Sequence, residues 1–166
     1  MEIPRRRLRR RMKNRGLLIF SLILAIAVFI VSCNRKNVYV NYRHVPMSGW
    51  DKTDTLVFAV SPLGAGSYRE EIGVRVDRSY PFVSLSLVIE QAILPSGYVH
   101  RDTLNYKIVD EKGKFRGKGV SYFQQSFHLN TINLHDGDSL SITIKHNMKR
   151  EMVMGVSDIG FSIDRE

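Results

Sequence analysis

The chain of 166 residues is long enough for one domain with a hydrophobic core, and its formal net charge of +9 raises the question of a nucleic-acid partner. The charge is unevenly distributed: residues 1–33 carry eight basic residues and one acidic residue, whereas residues 34–166 carry 17 basic and 15 acidic residues. The second part is nearly neutral with mixed signs, which argues against an extended basic surface for phosphate, so no nucleic-acid partner is predicted.

The first 32 residues have the pattern of a bacterial signal peptide. A basic stretch, "MEIPRRRLRRRMKNRG", precedes the apolar run "LLIFSLILAIAVFIV" (17–31), which only Ser21 interrupts. This run reaches the upper limit of a signal-peptide core and is shorter than the roughly 18 to 20 residues of a membrane-spanning helix. We therefore predict that residues 1–32 form a lipoprotein signal-peptide helix that is removed after export.

The only cysteine, Cys33, stands at the end of this apolar run. The tripeptide before it, "IVS", is similar to the lipobox of bacterial lipoproteins, in which the thiol receives a diacylglyceryl group and the new amino terminus is acylated. Several acyl chains, each contributing about 0.8 kcal/mol per buried methylene, anchor a protein stably. The sequence therefore predicts lipidation at Cys33, with residues 33–37 as a short tether. The alternative is an uncleaved anchor helix that happens to end in a cysteine.

The tether also bears on location. The segment "NRKNVYV" after Cys33 has no acidic run, which favours a periplasm-facing anchor. We expect a lipid-anchored protein of the cell membrane or outer membrane, with its mature domain in the periplasm.

Residues 38–166 alternate between apolar and polar side chains almost throughout, as half-buried strands do. The predicted strands are, in chain order, "NVYVNYR" (37–43), "DTLVFAV" (54–60), "YREEIGVRVD" (68–77), "FVSLSLVIE" (82–90), "TLNYKIV" (103–109), "SYFQQSFHLN" (121–130), "SLSITIKH" (139–146) and "VSDIGFSID" (156–164). One segment, "MKREMVM" (148–154), could form a helical turn. We predict an all-β domain, an antiparallel two-sheet β-sandwich of seven or eight strands.

No arrangement of residues in the chain points to catalysis or metal binding. There is no G-x-S-x-G motif, the five histidines are dispersed, and "HDGDS" (135–139) lacks the remaining ligands of a calcium loop. The alternation puts Glu70 and Glu71 on opposite faces of their strand, so they cannot act as a carboxylate pair, and surface charge accounts better for them. No catalytic residue, metal, cofactor or small-molecule substrate is predicted.

Two aromatic sites and one basic loop are candidates for binding. Trp50 stands at a strand entry, and Tyr80 belongs to the aromatic corner "YPF"; such residues usually pack the core, and stacking against a sugar is the alternative. The loop "KGKFRGKG" (112–119) could contact lipid headgroups or an acidic partner, but it is more typical of a solvated hairpin tip.

The lipoprotein start at Cys33 and three later segments resemble the gliding-motility lipoprotein family GldH of the Bacteroidetes: "GWDKTDTLVF" (49–58), "GVRVDRSYPFVSLSLVIE" (73–90) and "HNMKREMVMGVSDIGFSIDRE" (146–166). In the last segment, six residues fall where the family's closing motif places them: Met148, Gly155, Val156, Asp158, Ile159 and Gly160. The resemblance covers most of the domain and includes Arg75, which we add to Trp50 and Tyr80 as a candidate binding residue. It implies a non-enzymatic accessory lipoprotein of the cell envelope.

Two functional hypotheses follow. The first is a lipid-anchored β-sandwich that scaffolds or assists an envelope protein complex, with the membrane contacted through Cys33 and with envelope proteins as partners. The second is a carbohydrate-binding envelope lipoprotein with Trp50, Tyr80, Tyr98 or Tyr122 as stacking platforms. A hydrolase with scattered site residues is a weaker third possibility.

Overall fold

The computed structural model describes residues 37–166, and these residues form ten β-strands and no helix. In chain order the strands are β1 (Asn37–His44), β2 (Trp50–Asp51), β3 (Leu56–Val60), β4 (Gly66–Asp77), β5 (Ser84–Leu94), β6 (Tyr98–Lys107), β7 (Tyr122–Leu134), β8 (Ser139–His146), β9 (Met152–Val153) and β10 (Val156–Arg165). Within the same residues there is no helix long and apolar enough to cross a membrane.

Eight of the strands form two antiparallel sheets of four strands each. Sheet I has the order β1-β10-β4-β7, and sheet II has the order β3-β8-β5-β6. The short strands β2 and β9 pair with each other, Trp50 opposite Val153. The predicted antiparallel β-sandwich is therefore confirmed, and all eight predicted strands are present, with some ends shifted.

The core lies between the sheets and is built from the alternate positions of each strand. In β8, for example, Leu140, Ile142 and Ile144 are buried while the serine and threonine between them are partly exposed. Phe58 of sheet II meets Phe161 of sheet I with ring centroids 6.2 Å apart. Burial of each such side chain contributes roughly 1.5–3 kcal/mol, so these rows hold the two sheets together.

Two details of the sequence prediction were wrong. Residues 148–154 form no helical turn, because their backbone pairs with β2: Lys52 N donates to Glu151 O at 2.8 Å, and Val153 is buried opposite Trp50. The alternation in "FVSLSLVIE" (82–90) predicts that Val83 faces inward with Leu85 and Leu87. Val83 is instead exposed, because β5 begins only after it, at Ser84. The carbonyl of Val83 instead accepts hydrogen bonds from the backbone of Ile108 and Val109.

Candidate functional site

Trp50 is enclosed in the core. Its side chain is 0% exposed, and its indole Nε1 donates a hydrogen bond to the carbonyl oxygen of Asp54 at 3.2 Å. The His146 ring packs edge-on against it, with centroids 5.4 Å apart. Because no face of the indole reaches the surface, the structure gives Trp50 a packing position and no stacking platform.

Tyr80 is also a core residue. Its hydroxyl donates to the carbonyl oxygen of Ser84 at 2.9 Å, and its ring meets Phe82 edge-on at 5.7 Å. Burial raises the pKa of the Tyr80 hydroxyl well above its ordinary value. Tyr80 is therefore packed into the core and has no exposed ring face on which a ligand could stack.

Arg75 lies on the outer face of sheet I, where it forms the centre of a polar cluster. One guanidinium nitrogen donates to Asp158 Oδ2 at 3.2 Å, and the other terminal nitrogen donates to Gln124 Oε1 at 2.9 Å. The Arg75 side chain is 37% exposed. The three strands β4, β7 and β10 thus fix the guanidinium at the surface.

The strand register explains why these residues meet. Arg75 of β4 lies directly opposite Asp158 of β10 on one side and Gln124 of β7 on the other. His44 of β1 continues the same row, and its Nδ1 lies 3.4 Å from Asp158 Oδ1. Side chains directly opposite across neighbouring strands have Cβ atoms roughly 4.5–5.5 Å apart, so this row places its side chains within contact distance.

Tyr42 lies in the next row, where the two residues beside it are glycines. Tyr42 is in register with Gly160, and Gly160 is in register with Gly73. A Cβ atom added to either glycine would collide with the Tyr42 ring. The missing side chains therefore let the ring lie flat on the sheet, where the guanidinium carbon of Arg75 is 5.5 Å from its centroid.

Hydrogen bonds and charge hold this arrangement in place. Gln124 Nε2 donates to the Tyr42 hydroxyl at 2.9 Å, and Ser157 Oγ donates to Asp158 Oδ2 at 2.9 Å. Burial raises the pKa of Tyr42, which outweighs the lowering by the nearby Arg75 charge. The tyrosine is therefore neutral, and its ring faces a cation that Asp158 already orients, the geometry of a cation–π contact.

A groove of about 610 Å³ borders this cluster along β7. It is lined by Gly117, Lys118 and residues 124–126. The backbone groups of Lys118 and Gln124 exchange hydrogen bonds at 3.0 and 2.9 Å, which holds the basic loop of residues 112–119 against the edge of β7. The Arg75 cluster thus has a second cationic residue, Lys118, on the groove beside it.

The chemistry available at this site is binding. A guanidinium has five N–H donors in a planar fork, and Asp158 and Gln124 each accept from one of its nitrogens. Donors on the exposed part face solvent and suit a carboxylate or carbonyl oxygen of a partner. Among residues 37–166 no group of three or more His, Cys, Asp or Glu side chains is close enough to hold a metal ion.

Glu70 is buried, although the sequence predicted a charged residue on the surface at this position. It is 0% exposed, and its Oε1 accepts a hydrogen bond from Gln91 Nε2 of the opposite sheet at 2.7 Å. Its Oε2 is buried with no hydrogen-bond partner. Burial raises the pKa of Glu70 to about 7, although the hydrogen bond from Gln91 opposes this. The two-residue period of the strand places Glu70 on the same face as Ile72 and Val74. The sequence prediction did not use this position, because acidic side chains are normally exposed.

Cys33 lies outside the residues that the structure describes, so its lipidation stays a prediction. The Arg75 cluster joins two of the segments that resemble the GldH family, residues 73–90 and 146–166, because Arg75 contacts Asp158.

The chain is similar to known proteins over nearly its whole length. The family model described as GldH lipoprotein matches residues 37–163, which is nearly the whole described domain. The chain belongs to the GldH lipoprotein family. It is 27% identical over 164 residues to the gliding motility lipoprotein GldH of Flavobacterium johnsoniae, covering 94% of this chain and 99% of the relative. It is 24% identical over 157 residues to a GldH homolog of Christiangramia forsetii, covering 89% and 94% of the two chains.

Solved structures add little to the family assignment. A family GH115 4-O-methyl-α-glucuronidase matches with a TM-score of 0.42 and 13% identity, covering 81% of this chain and 18% of the enzyme. No functional argument follows from similarity at that level. As a member of the GldH family, the protein is a gliding-motility-associated lipoprotein, and its lipoprotein relatives imply membrane association.

Proposed function

We propose that this GldH-family protein is a lipid-anchored, non-enzymatic accessory component that binds and positions other proteins of the cell envelope. The observation that carries the proposal is the Arg75 cluster, in which Asp158 and Gln124 hold a partly exposed guanidinium group in one orientation at the surface. The family relationship to lipoproteins associated with gliding motility supports the envelope setting.

The membrane attachment rests on Cys33. The basic stretch and the apolar run before it, together with the "IVS" tripeptide, support cleavage before the cysteine and acylation of its sulfur. In cells supplied with labelled fatty acid, we expect the intact protein to incorporate label and the Cys33→Ala variant to lose it. Equal incorporation in both proteins would exclude lipidation at this residue.

The anchored domain is proposed to face the periplasm. A protease added to intact cells should leave it uncut, and the same protease should cut it once the outer membrane is permeabilised. Digestion in intact cells would instead place the domain on the cell surface and contradict this part of the proposal.

The binding surface is proposed to be the outer face of sheet I around Arg75 and Tyr42. Tyrosine and arginine are enriched among the residues that dominate interface energies, and a side chain already held in place loses little entropy when it binds. Here Asp158 and Gln124 hold the guanidinium, and Gly73 and Gly160 support the tyrosine ring. We expect the partner to present a carboxylate or carbonyl oxygen to Arg75.

Crosslinking in living cells tests this surface. A photoreactive residue placed at Ser162, on the outer face of sheet I beside Glu71, should capture one or a few envelope proteins. Capture should fall in the background of Arg75→Lys, which keeps the charge but loses the planar fork. The matched control is Arg69→Lys, on the same strand and face, where Arg69 forms ion pairs with Glu71 and Glu166. Recovery of the protein as a free monomer in all backgrounds would contradict the proposal.

A further inference from the structure

A cleft opens between the two sheets at the edge formed by β6 and β7. Along β6 the inner row begins near the middle of the sandwich as Tyr106 and Leu104, and Tyr106 stacks on Phe127 of β7 with centroids 4.2 Å apart. Toward the start of β6 the same row continues as Asp102, His100 and Tyr98, because side chains alternate between faces. The interior therefore changes from apolar to polar along one strand.

The cleft has a volume of about 230 Å³ and seven lining residues: Gln91, Ile93, Tyr98, His100, Asn130, Ile132 and Asn133. Three of these are side-chain amides, two are apolar, and none is lysine, arginine, aspartate or glutamate. An amide side chain has both donors and acceptors. The cleft thus offers paired donors and acceptors beside small apolar surfaces, and the acidic residue of the same row, Asp102, has its Oδ2 atom 2.8 Å from His100 Nε2.

The floor of the cleft is formed by Gln91, which is hydrogen-bonded to a buried carboxyl group in the core. Gln91 is only 5% exposed, and its amide nitrogen is held by the fully buried Glu70. A buried carboxyl group with one unpartnered oxygen costs stability, and an apolar pair at these positions would avoid that cost. What the pair does provide is a Gln91 amide fixed in one orientation at the cleft.

An irregularity in β7 supplies the opposite wall. Glu70 is in register with Asn130 and Glu71 with His128, so Leu129 is an extra residue in β7 at this point. Such a bulge changes which side chains face inward, and bulges are over-represented beside functional sites. Here the bulge brings Asn130 into register with Glu70, and the Asn130 Oδ1 is held by the backbone N–H of Thr131 at 2.8 Å.

We propose that this cleft binds a single residue of an uncharged glycan. Neighbouring hydroxyl groups of a sugar each donate and accept, which matches the amides of Gln91, Asn130 and Asn133. The apolar face of the sugar ring would lie on Tyr98, whose side chain is 60% exposed at the rim. The volume is below the roughly 300 Å³ at which pockets for drug-sized ligands begin, which suits one monosaccharide unit of a chain that continues into solvent.

A peptide is the competing occupant, and the observations favour the sugar. An extended peptide would pair with the free backbone edge of β6 or β7 and would not need three side-chain amides in one cleft. The cleft instead combines the buried amide of Gln91 with the exposed amides of Asn130 and Asn133. This inference is independent of the proposed protein-docking surface, because the cleft shares no residue with the Arg75 cluster.

The test is binding of the full-length chain, purified in a detergent without a sugar headgroup, to an array of uncharged oligosaccharides of glucose, mannose, xylose and N-acetylglucosamine. We expect binding to at least one of them, with the affinity then measured by calorimetry. The variants Tyr98→Ala and Asn130→Ala should each weaken that binding by about tenfold or more. The matched controls, Tyr122→Ala and Asn105→Ala, replace exposed residues of the same type away from the cleft and should change affinity by less than about twofold.

Three results would overturn the proposal. The first is no binding to any uncharged glycan on the array. The second is glycan binding that Tyr98→Ala and Asn130→Ala leave unchanged, which would place the site elsewhere. The third is binding of an uncharged pentapeptide, sensitive to the same variants, in the absence of glycan binding. None of these results bears on capture of protein partners at Arg75, so the two proposals fail separately.

Discussion

Because the carboxyl group of Glu70 is buried, we expect the domain to lose stability as pH rises. In the unfolded chain this group has its ordinary pKa of 4.5, and in the folded protein burial raises the pKa to about 7. Below the lower value both states hold the proton and the group has no effect. Between the two values the unfolded chain releases a proton that the folded protein keeps, so unfolding becomes progressively more favourable until pH passes about 7.

The size of the effect follows from the same two pKa values. The difference between 4.5 and about 7, taken at about 1.4 kcal/mol for each pH unit, corresponds to about 3 kcal/mol. The Glu70→Gln variant cannot ionise and keeps a hydrogen-bonding partner for Gln91. We therefore expect the variant and the parent protein to have similar unfolding free energies near pH 4.5, and the variant to be more stable by about 3 kcal/mol at pH 8.

Urea unfolding followed by fluorescence measures this difference directly. The chain has a single tryptophan, and Trp50 is buried in the folded protein, so its emission reports the transition. Unfolding curves at pH 5, 6, 7 and 8 would give the free energies. The control is Glu71→Gln, on the opposite, outer face of β4, which should not reproduce the pH dependence. A constant difference between Glu70→Gln and the parent over the whole pH range would refute the reasoning.

Two further variants test the packing described above. Gly73→Ala adds a Cβ atom 2.8 Å from the Tyr42 ring, so we expect the free energy of unfolding, measured by thermal unfolding, to fall by about 1–3 kcal/mol. The control, Gly64→Ala, adds a Cβ atom whose nearest neighbour is 3.8 Å away and should be nearly neutral. Equal effects of the two variants would contradict the packing of the Tyr42 ring on Gly73. Trp50→Ala should lower the free energy of unfolding by about 3–5 kcal/mol, because it empties a fully buried site and leaves the Asp54 carbonyl without its indole donor. A loss below about 1 kcal/mol would mean that the indole does not pack in the core.

The sandwich could be predicted because strand periodicity is a local signal. In β8 every second residue from Leu140 to Ile144 is apolar, and the structure buries the same residues. The ribbon of β2 and β9 could not be predicted in this way. Each strand is two residues long, so neither has a period, and their pairing depends on contacts between residues about a hundred positions apart.

The candidate site was predictable only in part. Arg75 was selected through the family resemblance, but its partners come from strands β7 and β10, and only the strand register brings Gln124 and Asp158 to it. Glu70 shows the opposite case. Its position in the alternation indicated the interior, but burial of an unpaired carboxyl is normally too costly to expect, and the compensating Gln91 belongs to another sheet.

The order of strands in sheet I has a consequence for how the protein is made. The last strand in the chain, β10, lies between β1 and β4 and pairs with both. While the ribosome still holds residues 156–165, β1 has no strand partner and one side of β4 is open. Sheet I can therefore be completed only after nearly the whole chain has been synthesised, and a chain truncated before Val156 would lose an interior strand and expose two unpaired edges to aggregation.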